Sequence, residues 1–372
     1  MTHEERAIDR CPAEIWARIF SFACTDGGYT GRSLSLVSRY FRDASLRVKL
    51  QSISLHGIDN ASGFIEMYQR TSPHESPVQY LYFTYKPARR SRPSTFSAHD
   101  CSSVEEILRA LLSYDLTPQE EDILRGRIVS HPVIGSQYVS TQATFKHQVC
   151  SVLGRLLSLT ATSLRSLSLV LPQGMNIPTP LWKTSLPHLE QLSIYGCMMP
   201  SFSKPELPQN AEPLFPSLRF LHLTYCEHHL LLFTSSSPSL THLRLSAVSK
   251  LADEIINPLM AHVSGDSDYQ AAEREAPFPP SLRRIILQPN TAVQMFSGLR
   301  TFPPWIQQLR KADKRDIVHI IPGRPRGTSR SGALGPSIYD EQDVERDWIE
   351  CMEGGLGCWK YDDVRIAGPS MV

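Results

Sequence analysis

The stretch Leu186–Gly196, with the sequence LPHLEQLSIYG, decides the fold of this chain because its pattern recurs three times at the same register. The later copies are FPSLRFLHLTY at Phe215–Tyr225, SPSLTHLRLSA at Ser237–Ala247 and PPSLRRIILQP at Pro279–Pro289. In each copy a proline-bearing turn precedes apolar residues spaced as L-x-x-L-x-L. Proline ends the preceding element and restricts the backbone before it, and residues two apart lie on one face of a strand. Each copy therefore predicts a turn followed by a short strand with one buried face.

The same spacing continues toward the amino terminus. Further copies begin at Leu50, Val78 and Leu164, and a last strand is expected at Ile317–Ile321. Most copies begin about 20–29 residues apart, which is the period of leucine-rich repeats, and the longer intervals contain insertions. The longest interval holds two predicted helices, at 102–112 and about 144–159. The series thus predicts strands that stack side by side, one for each repeat.

The series resembles an irregular leucine-rich-repeat solenoid. In three copies the ninth position is Cys197, Cys226 or Asn290, a residue type that can hydrogen-bond the backbone as the chain leaves the strand. The other copies depart from that rule, so the repeat is degenerate. The fold class that this resemblance implies is α/β: a solenoid over residues 49–321, with short parallel strands and with helices on the convex side. The alternative is another α/β fold that happens to be rich in leucine-bearing strands.

The bulk composition describes a folded chain with little net charge. Hydrophobic residues make up 41% of the 372 residues, and 38 basic residues nearly balance 37 acidic ones. A formal charge of +1 predicts no global field for nucleic acid or an anionic membrane, so neither is an expected partner. No stretch approaches the ~18 apolar residues of a membrane helix, and the start is too charged for a secretory signal. With no C-x-x-C among the eight cysteines, the expectation is an intracellular protein, cytoplasmic or nuclear, with reduced thiols.

Residues 10–48 differ from the repeats and predict a small helical domain, preceded by a flexible terminus at 1–9. Pro12 suits a helix start, where an amide has no partner inside the helix, and Glu14 falls in the first turn, where the helix dipole favours an acid. Apolar residues then follow at helical spacing, with two aromatic residues among them. The glycines at 27–28 break this helix, and a second helix is predicted over about 33–46.

The segment from Cys11 to Ile53 resembles the F-box, especially the divergent versions found in mushroom-forming fungi. It departs from the family pattern at Cys11, where Leu is usual, at Phe41, where Trp is common, and in a longer loop at Gly27–Ser33. The matching residues are Pro12, Glu14, Ile15, Trp16, Ile19, Phe20, Leu34, Val37, Ser38, Phe41 and Arg42.

The resemblance, together with the repeats, implies a substrate receptor of a Skp–cullin–F-box ubiquitin ligase. In that interpretation the domain docks a Skp-family adaptor, and through it a cullin–RING ligase, while the repeats hold an unknown protein target. Forty residues rarely bury enough surface to be stable alone, so surplus apolar side chains indicate an interface. The expected adaptor-binding residues are Pro12, Glu14, Ile15, Trp16, Ile19, Phe20, Leu34, Val37, Ser38 and Phe41. The alternative is a repeat scaffold without a ligase link, whose amino-terminal helices cap the first repeat.

Target binding is expected on the outer, concave side of the strands. Phe220, His222, His242 and Arg244 lie between the apolar positions and are candidates for it, although a plain solvated face is an equally good interpretation of any one of them. Neither the neighbouring His228-His229 pair nor any other cluster predicts a metal site, since successive strand residues point to opposite faces.

No catalytic motif has usable spacing. The sequence therefore predicts a protein without enzymatic activity, cofactor or metal, although an enzyme with an unrecognised site is a third hypothesis. Residues 322–336 are rich in Pro, Gly, Arg and Ser, and this composition predicts a flexible linker within a carboxy-terminal tail at 322–372. A short helix at 343–352 is the one element expected in that tail.

Overall fold

The fold is known from a computed structural model. It describes residues 11–70, 76–87, 96–114, 116–130, 132–172, 183–196, 212–225, 229–248, 251–265, 278–289, 303–321, 324–325, 336–337, 339 and 341–360. The predicted flexible terminus at 1–9 and the ninth-position residues Cys197, Cys226 and Asn290 lie outside the described residues.

Within the described residues, eight strands form one sheet, in which every strand pairs in parallel with the next one along the chain. This arrangement confirms the predicted α/β class and the predicted series of short parallel strands. The strands are Ser52–His56 (β1), Tyr80–Thr84 (β2), Ser166–Val170 (β3), Gln191–Tyr195 (β4), Phe220–Thr224 (β5), His242–Val248 (β6), Arg284–Pro289 (β7) and Val318–Ile320 (β8).

The pairing register explains why the L-x-x-L-x-L spacing has to be kept. The second leucine of each copy pairs with the second leucine of the next, as in Leu192 with Leu221 and Leu221 with Leu243. The third position does the same, as in Ile194 with Leu223. A slip of one residue would turn these side chains to the opposite face. The two apolar rows are fully buried and form the centre of the main core.

The proline-bearing turns also stack in register. In all four copies the first leucine donates its amide to the carbonyl three residues earlier, for example Leu189 to Leu186 at 3.2 Å and Leu218 to Phe215 at 3.2 Å. Proline at the second position of such a turn has the φ angle that the turn requires. The hydroxyl of Ser217 reaches the carbonyl of Pro187 in the preceding turn at 2.6 Å, so adjacent repeats are bonded to each other outside the sheet as well.

Helices pack against the apolar face of the sheet and close the core there. The largest contributions come from a helix between the first two strands and from a long helix in the large insertion. The helices of the repeat domain are Ile58–Arg70 (α4), Val104–Ser113 (α5), Pro118–Ser130 (α6), Pro132–Thr160 (α7), Leu230–Ser235 (α8), Asp253–Ser264 (α9) and Pro304–Ala312 (α10). Of these, α5 and α6 bury their apolar residues, such as Ile107 and Leu124, in a small separate cluster away from the sheet. The insertion contains more helix than predicted, since α6 and the first half of α7 lack the apolar periodicity that marks a buried face.

The amino-terminal domain is helical as predicted but consists of three helices: Ala13–Ala23 (α1), Tyr29–Val37 (α2) and Arg39–Ser45 (α3). The prediction of one helix over 33–46 is wrong because Ser38 is extended, with φ −160° and ψ 167°, and its side chain accepts the amide of Phe41 as the N-cap of α3. The predicted long loop at Gly27–Ser33 is wrong too, since α2 begins at Tyr29.

The carboxy-terminal end is not a flexible tail over its described part. Glu341–Met352 forms a helix (α11), and a short 3₁₀ helix follows at Gly357–Trp359. Tyr339, Trp348 and Trp359 are 3%, 2% and 7% exposed, because this end of the chain lies on the sheet face opposite α4 and α7. In the linker, Arg324–Pro325 (β9) pairs antiparallel with Pro336–Ser337 (β10); the rest of 322–340 apart from Tyr339, like 361–372, lies outside the described residues.

Candidate protein-binding surfaces

The three amino-terminal helices, 13–45, are held together by a small aromatic core, and are called the helical module below. The ring of Phe20 lies 5.6 Å from that of Trp16 and 5.4 Å from that of Phe41, measured between ring centroids, and Trp16 and Phe41 are 5.0 Å apart. Phe20 is 5% exposed, and Leu34 packs at the edge of the cluster. These four predicted adaptor-binding residues therefore stabilise the module itself, and Phe20 presents almost no surface to a partner.

A cysteine completes this core. Cys24 is fully buried beside Phe20. Burial, reinforced by the nearby Asp26 carboxylate, raises the pKa of the Cys24 thiol to about 11. The thiol is therefore protonated at neutral pH and serves as a small apolar side chain.

The other predicted positions lie on the surface of the module. Ile15 and Ile19 are 50% and 46% exposed and occupy one stripe of α1, and Val37, at the end of α2, is 62% exposed. Pro12 is the N-cap of α1 and Glu14 is in its first turn, both exposed, while exposed Ser38 caps α3. Ile15, Ile19 and Val37 are thus the predicted residues that combine an apolar side chain with exposure.

Three exposed apolar residues of the module escaped the predicted set. Phe22 is 74% exposed and continues the stripe of Ile15 and Ile19, while Tyr29 and Leu36 on α2 are 76% and 75% exposed. The i, i+4, i+7 spacing pointed to Phe22, but nothing in the sequence distinguished the exposed Leu36 from the packed Leu34. Among the described residues, ten large apolar side chains are exposed, and six of them lie between 15 and 37.

The second surface is the polar face of the sheet, formed by the residues that alternate with the apolar rows. One row runs across the strands at matching positions and can be followed through the pairing register. Its members are Ser54, Tyr82, Ser168, Ser193, His222 and Arg244. A flanking row includes Phe220 and His242, so the four predicted target-binding residues are brought together on one face of β5 and β6.

The prediction that these residues line an open surface is wrong for His222 and Arg244, while Phe220 and His242 are half-buried. His222 and Arg244 are 2% and 1% exposed, because residues 339 and 341–359, called the cover segment below, lie over them. The ring of Trp359 is 5.2 Å from that of Phe220 and 5.9 Å from that of His242.

Arg244 bonds the polar face to the cover segment. Its guanidinium donates to the carbonyl of Cys358 and, at 2.8 Å, to Oε1 of Gln288, and it lies over the ring of Tyr339. A buried cation is tolerated when acceptors satisfy its N–H groups. These bonds connect the cover segment directly to the sheet.

The two histidines among the predicted target-binding residues, His222 and His242, are neutral at physiological pH. Burial, and after it the Arg244 cation, lowers the pKa of His222 well below its ordinary value of 6.5. Burial, and then the charges of Arg284 and Arg219, lower the pKa of His242 to about 4. Protonating either imidazole would place a cation beside existing cations under the cover segment.

A cavity of about 650 Å³ lies between the insertion helices and the ends of the strands. Its wall mixes aromatic and apolar side chains with ionic ones, but the cations Lys86 and Arg125 are each bound by a carboxylate at 2.7 Å, Glu341 and Glu121 respectively. Within the described residues no cluster of three or more His, Cys, Asp or Glu side chains is arranged to bind a metal ion. None of the helices in the described part of the chain combines the length and apolar character needed to cross a membrane.

Comparisons of the sequence with models of known protein families and with curated proteins find no match.

Proposed function

We propose that the chain is the substrate-recognition subunit of a Skp–cullin–F-box type ubiquitin ligase. The helical module docks a Skp-family adaptor, and the repeat domain binds a protein target. The chain itself performs no chemistry in this scheme. It raises the effective concentration of the target beside the charged ubiquitin carrier, which is the contribution that any tethering subunit makes.

The observation that supports docking is the concentration of exposed apolar side chains on the module. Six of the ten large apolar side chains exposed in the described residues fall within 15–37. Exposed apolar side chains that are concentrated in one region of a surface usually mark an interface. The resemblance of Cys11–Ile53 to the F-box indicates which class of partner the interface fits, because Pro12, Glu14, Ile15 and Ile19 occupy matching positions.

The structure divides the predicted docking set into two roles. The core of the module contains Trp16, Phe20, Leu34 and Phe41. The exposed side chains, which a partner can contact, are those of Ile15, Ile19 and Val37, together with Phe22 and Leu36. A substitution at Phe20 would therefore test folding, whereas a substitution at Ile19 or Val37 tests docking.

The decisive experiment is co-purification of the full chain with a Skp-family adaptor. Ile19→Asp and Val37→Asp each place a charge in the apolar contact, and we expect each to weaken binding by roughly 30-fold or more, the effect of losing a residue that contributes ~2 kcal/mol or more. Val139→Asp is the matched control, since Val139 is a comparably exposed valine, at 65%, on the insertion helix α7. Undiminished adaptor binding by both variants would exclude docking through this surface.

A second candidate is a repeat scaffold whose amino-terminal helices only cap the sheet. One observation favours it: the loop after α1 bonds to the edge strand β1, with the Gly27 amide 3.2 Å from the Ser52 hydroxyl and the Ser54 amide 3.2 Å from the Gly27 carbonyl. A cap, however, gains nothing from exposed apolar residues on its far side. If it is only a cap, Ile19→Asp changes neither stability nor any protein contact of the chain.

A further inference from the structure

We propose that the polar face of the sheet is a groove for a helical protein segment, and that the cover segment occupies this groove in cis as an exchangeable stand-in for that partner. The partner would be an acidic amphipathic helix that carries aromatic side chains. The inference rests on the proposed function in one respect: the groove would be the site where the receptor binds its target.

The composition of the polar face is the first argument. The apolar face of the same strands is an unbroken pattern of Leu, Ile and Phe, as befits a permanent core. The polar face has Ser168, Ser193, His222, Arg244 and Gln288 at the alternate positions, all five of them buried, and its central row also includes the buried Tyr82 and Ile286. The polar members can exchange their present hydrogen bonds for bonds to water when uncovered, so this face depends less on a permanent lid than the all-apolar face does.

The aromatic contacts define the first recognition element. Trp348, on α11, packs 5.6 Å from the Tyr82 ring, and Trp359 lies against Phe220 and His242 on β5 and β6. Rings that fill a pocket on a partner's surface are the usual anchors of protein interfaces. The groove therefore has two aromatic sites, one over β2 filled from α11 and one over β5–β6 filled from the 3₁₀ helix that follows the turn at Gly354 and Gly355.

Charge defines the second recognition element. Glu341 forms an ion pair with Lys86 at 2.7 Å, and Glu345, one turn later on α11, lies 3.2 Å from Nε2 of His56. At the other end of the groove, Arg244 donates to the main-chain carbonyl of Cys358. An incoming helix with acids at the corresponding spacing and a free carbonyl beyond its end would make the same contacts.

The fit between the cover segment and the sheet is incomplete. Three buried polar atoms in or beneath the cover segment have no hydrogen-bond partner within the part of the chain that the structure describes: the Ser166 hydroxyl and the indole nitrogens of Trp348 and Trp359. Buried polar groups left unsatisfied oppose the burial that hides them. The cover segment is consequently held on the polar face less tightly than the surface area it buries would suggest. A weakly held segment can be exchanged for a partner.

The topology makes the cover segment separable. All eight strands of the main sheet pair with one another, and α11 supplies no strand to that sheet. The cover segment follows residues 322–336 along the chain, whose Pro, Gly, Arg and Ser content is that of a tether. A tethered occupant has an effective concentration in the mM range, so an external helix must bind the uncovered groove well to displace it.

Hydrogen exchange of the full-length wild-type chain tests whether the cover segment opens independently. We expect amides of α11, at 341–352, to exchange at least tenfold faster than buried amides of β3 to β5, because local opening of the cover segment leaves the sheet intact. Equal protection of α11 and these strands would show that the cover segment unfolds only with the whole domain, and would overturn the proposal.

Binding of a peptide in trans tests the groove itself. The probe is a fluorescent synthetic peptide with the sequence of residues 336–360, added to the full-length chain. Trp348→Ala in the chain loosens the cis occupant, so we expect the wild-type peptide to bind this variant at least tenfold more tightly than it binds the wild-type chain. A peptide that itself carries Trp348→Ala should lose that affinity.

Trp348→Ala leaves a cavity where a buried side chain was and could unfold the chain, so a second variant that creates no cavity is needed. Combined Glu341→Lys and Glu345→Lys substitutions in the chain put cations against Lys86 and His56, and should open the groove to the same peptide. Glu353→Lys is the matched control, because Glu353 is exposed beyond the end of α11 and should leave the groove closed. If the chains stay folded and the peptide binds all of them equally weakly, the polar face is not a groove.

These outcomes are independent of adaptor docking, since no adaptor is present and the helical module is unchanged. A failed peptide experiment with intact adaptor binding would overturn the groove alone. A bound peptide with failed adaptor docking would overturn the proposed ligase role and leave the groove standing.

Discussion

Phe20 and Phe22 are two residues apart on α1 and give the sharpest test of how the helical module is built. Phe20 is 5% exposed and contacts two other rings, whereas Phe22 is 74% exposed. Truncating a buried phenylalanine to alanine costs about 3–5 kcal/mol. Truncating an exposed one changes the free energy of unfolding by about 0.5 kcal/mol or less. The same chemical change should therefore have very different consequences at the two positions.

The measurement is hydrogen exchange of the amides in 13–45, for Phe20→Ala and Phe22→Ala beside the wild-type chain. A loss of 3–5 kcal/mol corresponds to exchange that is faster by a factor of about 100 or more. We expect that change for Phe20→Ala, and near-wild-type exchange for Phe22→Ala, together with weaker adaptor binding by the second variant. Equal destabilisation by both variants would refute the division of the module into a core and a binding surface.

Three further predictions concern stability. Ser38→Ala removes the N-cap of α3 and should cost about 1 kcal/mol in chemical denaturation, while Ser38→Asp should retain the cap. Gly196→Ala should destabilise the protein by roughly 1–3 kcal/mol, because φ is +104° and a Cβ would lie 2.1 Å from the Leu171 carbonyl oxygen. Gly63→Ala is the control and should be neutral or stabilising, since this exposed helical position has open space around it. A greater loss of stability for Gly63→Ala than for Gly196→Ala would contradict this reasoning. Since the pKa of His222 is lowered on folding, the unfolded chain binds more protons below about pH 6.5. Stability should thus be intact above that pH and decline as the pH falls, and His222→Gln should flatten the decline in thermal melts; a wild-type slope in the variant would be the contrary result.

The sheet could be predicted from the sequence because its signals are local. In the four copies that begin with a proline turn, the turn and the period-two leucines lie within about a dozen residues, and the register follows from the need to bury Leu192 or Leu221 beside its neighbour. The break between α2 and α3 is also a local signal, but a weaker one. Ser38 is as compatible with a helix interior as with a cap until its contact with the Phe41 amide is known.

The sequence predicts the short helix at 343–352, which α11 confirms, but not its position over the sheet, because nothing near residue 345 indicates which surface the helix packs against. The α11 sequence has five acids among its twelve residues, and its anchor Trp348 contacts Tyr82 from a distant repeat. For the same reason His222 and Arg244 are predicted from the sequence to be exposed, since residues that alternate with leucines on a strand are commonly solvated. Long-range packing of this kind depends on complementary surfaces, and periodicity describes only one surface at a time.

The central claim is that the exposed side of α1 and α2 binds a Skp-family adaptor. Hydrogen exchange of the full chain, with and without a purified adaptor, tests it most directly. The account predicts slower exchange at 13–23 and 29–37 in the complex, with β3 to β5 unchanged. Unchanged exchange at both helices, in a sample where the adaptor is present in saturating excess, would contradict it.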